Sequence, residues 1–269
     1  MRKLISNYRH LLTNYDSVLA YSLLGVIGGV ASGLVILAFE QAIIQLAALW
    51  GVGSKGDDFE SLSPAYRFAL PVAGALLLGI GYHFLRNEDR EVGIVHVLSR
   101  MHSHYGVLPA RNALLQFFAG AFALASGQSG GREGPGVHLG GAINSLLGQR
   151  LHLPNNSLRV LIACGTAGGI AAAFNTPLAG VIFAMEVIIA EYTVVGFIPV
   201  MLAAVSASAV SRTLTAGGVA FSLQPIQMTS LWEIPYVAFL GFCCGLAVVA
   251  FILISKHTAR GQRAADCRG

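Results

Sequence analysis

Apolar residues in this chain gather into long unbroken runs instead of alternating with polar ones. Val18 to Val52 holds one charged residue, Glu40, while Phe68–Leu85, Val160–Met185, Tyr192–Ser211 and Ile234–Ser255 hold none. Each run is near or above the roughly 18 to 20 apolar residues that cross a hydrocarbon core as helix. A soluble helix needs a polar stripe along one face, and these runs have none. The pattern predicts an all-α, polytopic transmembrane helical bundle. Its first span is long enough to be strongly tilted.

Between the runs lie shorter, mixed segments. Residues 1–16 read as a cytoplasmic or interfacial segment before a transmembrane domain over 17–255, and the polar, basic residues 256–269 read as a disordered tail. A polar loop is expected over 53–65, a charged turn over Arg86–Arg90, and a half-helix over 91–105. Ala113–Ser126 is apolar but short of a full span. It runs into the polar, glycine-rich break Gly127–Pro135, after which a further apolar helix is expected over about Val137–Leu147. Val160–Ile189 is interrupted at Asn175-Thr176-Pro177, which reads as two short helices meeting within the membrane. Broken and tilted helices are therefore part of the expected bundle.

Composition sharpens this picture. Hydrophobic residues make up 55% of the 269 residues and charged residues 11%, about half the charged share of a soluble domain. Mean hydropathy is +0.66. Many of the 32 glycines fall inside the apolar runs, with Gly29 and Gly33 at GxxxG spacing, where small residues let helix backbones approach in lipid. The net charge of +4 is read as membrane topology and not as nucleic-acid binding. Arg2, Lys3 and Arg9 precede the first acidic residue, Asp16, which favours a cytoplasmic N-terminus in a multi-pass protein of the plasma (inner) membrane. The four cysteines have no metal or CxxC spacing, and His102 and His104 have no partner cluster, so no metal and no cofactor is expected.

The break at Gly127–Pro135 carries the chemistry. Irregular backbone at membrane depth survives only where protein or a wet cavity surrounds it, and an ionisable residue there points to function. Gly134 and Pro135 lie where a new helix should begin. The amide groups of such a first turn, with the positive end of the helix dipole, form an anion site. Glu133 can occupy that site with its own carboxylate and leave it when protonated or displaced, a gate made by competition between two anions. On the residues alone, Arg132 and Glu133 could equally be interfacial loop residues.

Gly131-Arg132-Glu133-Gly134-Pro135, followed by Val137, His138 and Gly140-Gly141, resembles the signature of the CLC chloride channel and transporter family. Downstream, Gly165 to Gly180, containing Ala171-Ala172-Ala173-Phe174-Asn175-Thr176-Pro177-Leu178-Ala179-Gly180, is similar to a second stretch of that family. The resemblance covers about residues 16 to 255. It implies one of the two inverted repeats of a CLC-like fold, a homodimer with a chloride path in each subunit, and Glu133 as the gating residue. It also implies an anion site over Gly131, Arg132, Gly134 and Pro135, with a central contribution from Val92, Gly93 and Ile94. The partners it implies are chloride or another small anion and the lipid bilayer.

Three departures from the family pattern stand out. Val92 takes the position of a serine that faces the central anion, which bears on anion preference. The inner proton-accepting glutamate of the exchangers falls near Glu186 and Val187, and Val187 at that position favours passive conduction. Residues 17–255 resemble the first repeat plus one helix of the second, and the rest of the second repeat has no counterpart, which leads to the expectation of a truncated product of a longer parent, in the extreme a non-conducting membrane fragment. Gly127-Gln128-Ser129-Gly130-Gly131 also fits the serine-hydrolase pattern G-x-S-x-G. An intramembrane hydrolase using Ser129 is the competing class, but it needs a histidine base within reach. The expectation is an anion conductor and not an enzyme.

Overall fold

The structure, a computed structural model, describes residues 18–52, 59–190, 194–215, 230 and 233–266. The expected interfacial segment 1–16 lies outside the described residues, as do residues 53–58 of the expected 53–65 loop. Among the described residues there are nine α-helices and no strand. They are α1 (Val18–Leu49), α2 (Pro64–His83), α3 (Gly93–Ser103), α4 (Ala110–Ala125), α5 (Glu133–Arg150), α6 (Asn155–Phe174), α7 (Pro177–Phe183), α8 (Val194–Leu214) and α9 (Glu233–Asp266). A π-helical segment, Ala184–Ile189, continues α7, and short 3-10 turns occupy Phe59–Ser61 and Asn87–Arg90. Among the described residues, five stretches are long and apolar enough to cross a membrane: Val18–Leu49, Pro64–His83, Asn155–Phe174, Gly196–Leu214 and Glu233–Ile254.

The chain divides into two units, Met1–Ala220 and Phe221–Gly269. In the first, α6 is the central helix, and every residue from Leu161 to Ala173 is buried. Its residues there are mostly Ala and Gly, so neighbouring helices can close around it on every side. Gly140 of α5 lies against the Gly165 backbone, and Gly136 lies against Gly169. A β-carbon at Gly140 or Gly165 would strike the partner's carbonyl oxygen, so this contact is backbone on backbone. The same device joins α1 to α8, where Gly29 meets Ala203 and Gly33 meets Ala207. Within lipid, association rests on such close packing and on interhelical hydrogen bonds. Asn144 of α5 supplies the latter, donating from Nδ2 to the Gly28 carbonyl (3.1 Å) and the Ser32 hydroxyl (2.8 Å) of α1.

Three boundaries differ from expectation. α5 starts at Glu133 and not near Val137, with Pro135 in its first turn, where a missing N–H costs nothing. α6 is a full 20-residue helix, not a short one. Its polar first turn after Pro154 sits at the wet end of a span and reads like loop in sequence. α9 forms the second unit's described helix and continues past Ser255 to Asp266, in place of a disordered tail beginning at 256. Its added residues include Ala259, Arg260, Gln262, Arg263, Ala264 and Ala265, all good helix formers.

The expected interruption at Asn175 is present. Asn175 adopts left-handed backbone, φ +55°, a conformation Asn tolerates better than most residues. Its Oδ1 accepts from the Ser208 hydroxyl (2.9 Å) and Arg212 Nε (2.5 Å) of α8. One side chain thus ends α6, lets Pro177 start α7, and ties the turn to a third helix. Asn175→Ala is expected to lose about 1–3 kcal/mol through backbone strain and lost hydrogen bonds. Asn175→Gly, which relieves the strain alone, should fall between wild type and Ala in detergent unfolding midpoint.

Candidate functional site

The polar break joins the end of α4 to the start of α5. Gly127 leaves α4 in left-handed backbone, φ +78°, which glycine adopts without steric cost. The first helical hydrogen bond of α5 runs from the Gly136 amide to the Arg132 carbonyl at 2.9 Å. The amides of Glu133 and Gly134 precede it and have no acceptor within the helix, the position where partial positive charge concentrates. Glu133 is exposed, whereas Pro135 and the following turns are buried. The Glu133 carboxylate folds back over the helix start and fills the space that a β-carbon on Gly131 would take. A cavity of about 230 Å³ opens beside this point, bounded by Tyr82 of α2, Gln116 of α4, Gly130, Gly131 and Pro135.

Arg132 turns toward α1. Its Nη1 lies 3.8 Å from Oε1 of Glu40, with both side chains partly covered. Glu40 is the lone charge in the first apolar run, and a carboxylate there needs a partner. Sequence reasoning noted Glu40 without giving it a role. Its standing as the single charge in the run Val18 to Val52 was the available signal.

A second helix N-terminus belongs to the same packed group. Val92 caps α3 in extended backbone, Gly93 has φ +79°, and Ile94 is half-buried. Asn112 near the start of α4 holds this entry by donating from Nδ2 to the carbonyls of Glu88 (2.9 Å), Asp89 (3.2 Å) and Glu91 (2.9 Å). α3 and α5 touch through two buried histidines, His96 Nδ1 and His138 Nε2 being 3.0 Å apart. These lie three residues into α3 and five into α5, so each N-terminus is within about 5–8 Å of the contact at 1.5 Å per residue. No sequence signal marked this pair.

The remaining predicted residues fare differently. Glu186 and Val187 lie on the π-helical continuation of α7, and both are exposed. Ser129 is exposed in the break, and His138, the nearest histidine along the chain to serve it as base, has its Nε2 engaged by His96. His102 donates from Nδ1 to the Leu98 carbonyl at 2.8 Å, and His104 contacts Ser103. Among the described residues no group of three or more His, Cys, Asp or Glu is arranged to hold a metal.

Comparison with known proteins gives a consistent picture. A family model described as voltage gated chloride channel matches residues 72–267. An H(+)/Cl(-) exchange transporter ClcA from Vibrio cholerae is 33% identical over 234 residues, which cover 85% of this chain and 50% of that protein. The crystal structure of a CLC-type fluoride/proton antiporter superposes with TM-score 0.64 at 26% identity, covering 87% of this chain and 56% of that one. A slow cyanobacterial Cl-/H+ antiporter shares the fold at TM-score 0.63 and 21% identity, covering 84% and 54%. The chain spans about half the length of the curated relatives it matches.

The Glu40–Arg132 pair is only partly covered, with the Arg132 side chain 34% exposed. Glu40→Gln and Arg132→Gln should each destabilise the chain by about 1 kcal/mol, and the double variant by clearly less than their sum. A thermal-unfolding double-mutant cycle in detergent measures this.

Proposed function

Because the chain belongs to the voltage-gated chloride channel family, we propose that it helps to move small anions, chloride foremost, across a membrane. The anion site in this proposal is the first turn of α5 over Gly131, Arg132, Gly134 and Pro135, with Glu133 as its gate. The observation that supports it most is the folded-back Glu133 carboxylate, an anion already lying over a helix N-terminus against Gly131. A carboxylate there competes with a soluble anion for the same amide groups. Protonating it, or drawing it away, opens the site. The ion pair with Glu40 offsets the charge of Arg132, so attraction at the site rests mainly on backbone dipoles.

The half-buried start of α3 at Val92, Gly93 and Ile94 is the proposed inner contribution. Val92 offers no hydroxyl, so only backbone groups are available to an anion at that point. The CLC-type fluoride/proton antiporter among the similar structures makes fluoride the second anion to compare. Conduction in this proposal is passive, since Val187 carries no proton-accepting group at the position assigned to the inner glutamate. The working unit is proposed to be a homodimer in the plasma (inner) membrane with the N-terminus cytoplasmic.

Binding is the direct test, because a chain half the length of its relatives contributes only part of a conduction path. Calorimetric titration of the purified chain in detergent should show Glu133→Gln binding chloride about tenfold more tightly than wild type, equivalent to 1.4 kcal/mol. Gly131→Ala, whose β-carbon displaces the carboxylate, should shift affinity in the same direction. Absence of chloride and fluoride binding in all three proteins would sink the assignment of the site. In reconstituted vesicles, anion flux accompanied by stoichiometric proton movement would overturn the passive mechanism.

A further inference from the structure

The buried histidine contact between α3 and α5 has a defined arrangement of protons. Arg100 Nε lies 3.2 Å from His96 Nε2, and a guanidinium N–H can only donate. His96 Nε2 therefore carries no proton, and in a neutral ring the proton sits on Nδ1. That N–H donates across 3.0 Å to His138 Nε2, which leaves the His138 proton on Nδ1. His138 Nδ1 is fully enclosed and has no hydrogen-bond partner among the described residues. The same His96 Nε2 that faces Arg100 also lies 4.0 Å from Oε2 of Glu91, a side chain 60% exposed.

We propose that His96 and His138 form a buried two-ring proton relay, loaded at His96 Nε2 from Glu91 when Arg100 moves aside. The Glu91 carboxylic acid loses its proton as the His96 Nε2–H bond forms. The resulting imidazolium is attracted to the Glu91 carboxylate and repels Arg100. The His96 Nδ1–H bond then breaks as His138 Nε2–H forms, and positive charge passes to the second ring. His138 releases the proton from Nδ1 to a water molecule, the partner that a buried, unpaired polar atom most readily takes. Return of a proton from water to His138 Nδ1 drives the same transfers backwards, His138 Nε2–H to His96 Nδ1 and His96 Nε2–H to the Glu91 carboxylate, and restores the starting tautomers.

The surroundings suit transit more than storage. The neighbouring buried residues are Val97, Met101 and Val137, among which a lasting charge is costly. Arg100, His104 and Glu91 are the charged or titratable groups acting on His96 from its own segment. α5 presents His138, and its Glu133 and Arg150 stand at the two helix ends. The π-helical end of α7 packs with Met185 and Ile188 buried and its Glu186 exposed. The relay goes beyond the anion site proposed above and does not depend on it.

The test is a ¹⁵N-histidine NMR titration of the full chain in detergent, which needs no flux. At neutral pH both rings should show the Nδ1–H tautomer. On acidification they should take up one proton together, at one shared midpoint. Arg100→Met should raise that midpoint by about one pH unit or more, and Glu91→Gln should lower it. In His138→Gln, whose amide oxygen still accepts from His96 Nδ1–H, His96 should titrate alone. Separate midpoints, a midpoint that neither substitution moves, or no uptake by the folded protein down to about pH 4 would each overturn the relay. The pair would then be a structural hydrogen bond between two helices.

Discussion

The backbone contact between α5 and α6 governs this structure. Gly136 and Gly140 face Gly169 and Gly165 with no side chain between them, and the two helices come as close as their main chains permit. Lipid tails and apolar side chains are alike in polarity, so helices in a bilayer gain little from hydrophobic burial and much from contact density. Closeness at this crossing lets α6 disappear into the centre, with α1, α7 and α8 completing its wall. It also buries α5 without interruption from Pro135 to Ala142, leaving Glu133 and Gly134 of the first turn open beside the cavity.

That asymmetry lets a polar break exist where it does. Residues Gly127 to Arg132 are irregular backbone between two helices, tolerable in an apolar layer only with protein around it. The two charges next to each other, Arg132 and Glu133, have separate fates. Arg132 is drawn to Glu40 on α1, while the Glu133 carboxylate curls over its own helix start against Gly131. Opposite charges one residue apart thus take two directions, one toward α1 and the other back over the start of α5.

Hydrogen bonds add what close packing cannot: orientation. Asn112 gathers three carbonyls of the turn before α3, Asn144 bridges α5 and α1, and Asn175 collects two donors from α8 at the break between α6 and α7. Each amide acts at a helix end or at a crossing between helices. The match of 87% of this chain to a CLC-type antiporter of known structure at TM-score 0.64 shows that these contacts assemble a partial CLC fold.

The sequence by itself determined the all-α membrane class, the order of the spans, the interruption at Asn175 and the polar, glycine-rich break that ends at Pro135. All of these are local properties: apolar runs of bilayer length, and glycine and proline where backbone must turn. Helix ends were less legible, because the polar first turn of α6 and the charged extension of α9 have compositions that suit loops as well as solvated helix. Three things came only from the tertiary structure. Glu40 meets Arg132 across 92 positions of chain, from number 40 to number 132. Asn112 reaches back to a turn more than 20 residues earlier. His96 and His138 meet at 3.0 Å although neither stands in a histidine cluster along the chain. A one-dimensional pattern reports what each segment prefers, whereas pairing between distant polar groups is decided by which helix faces the packing brings together.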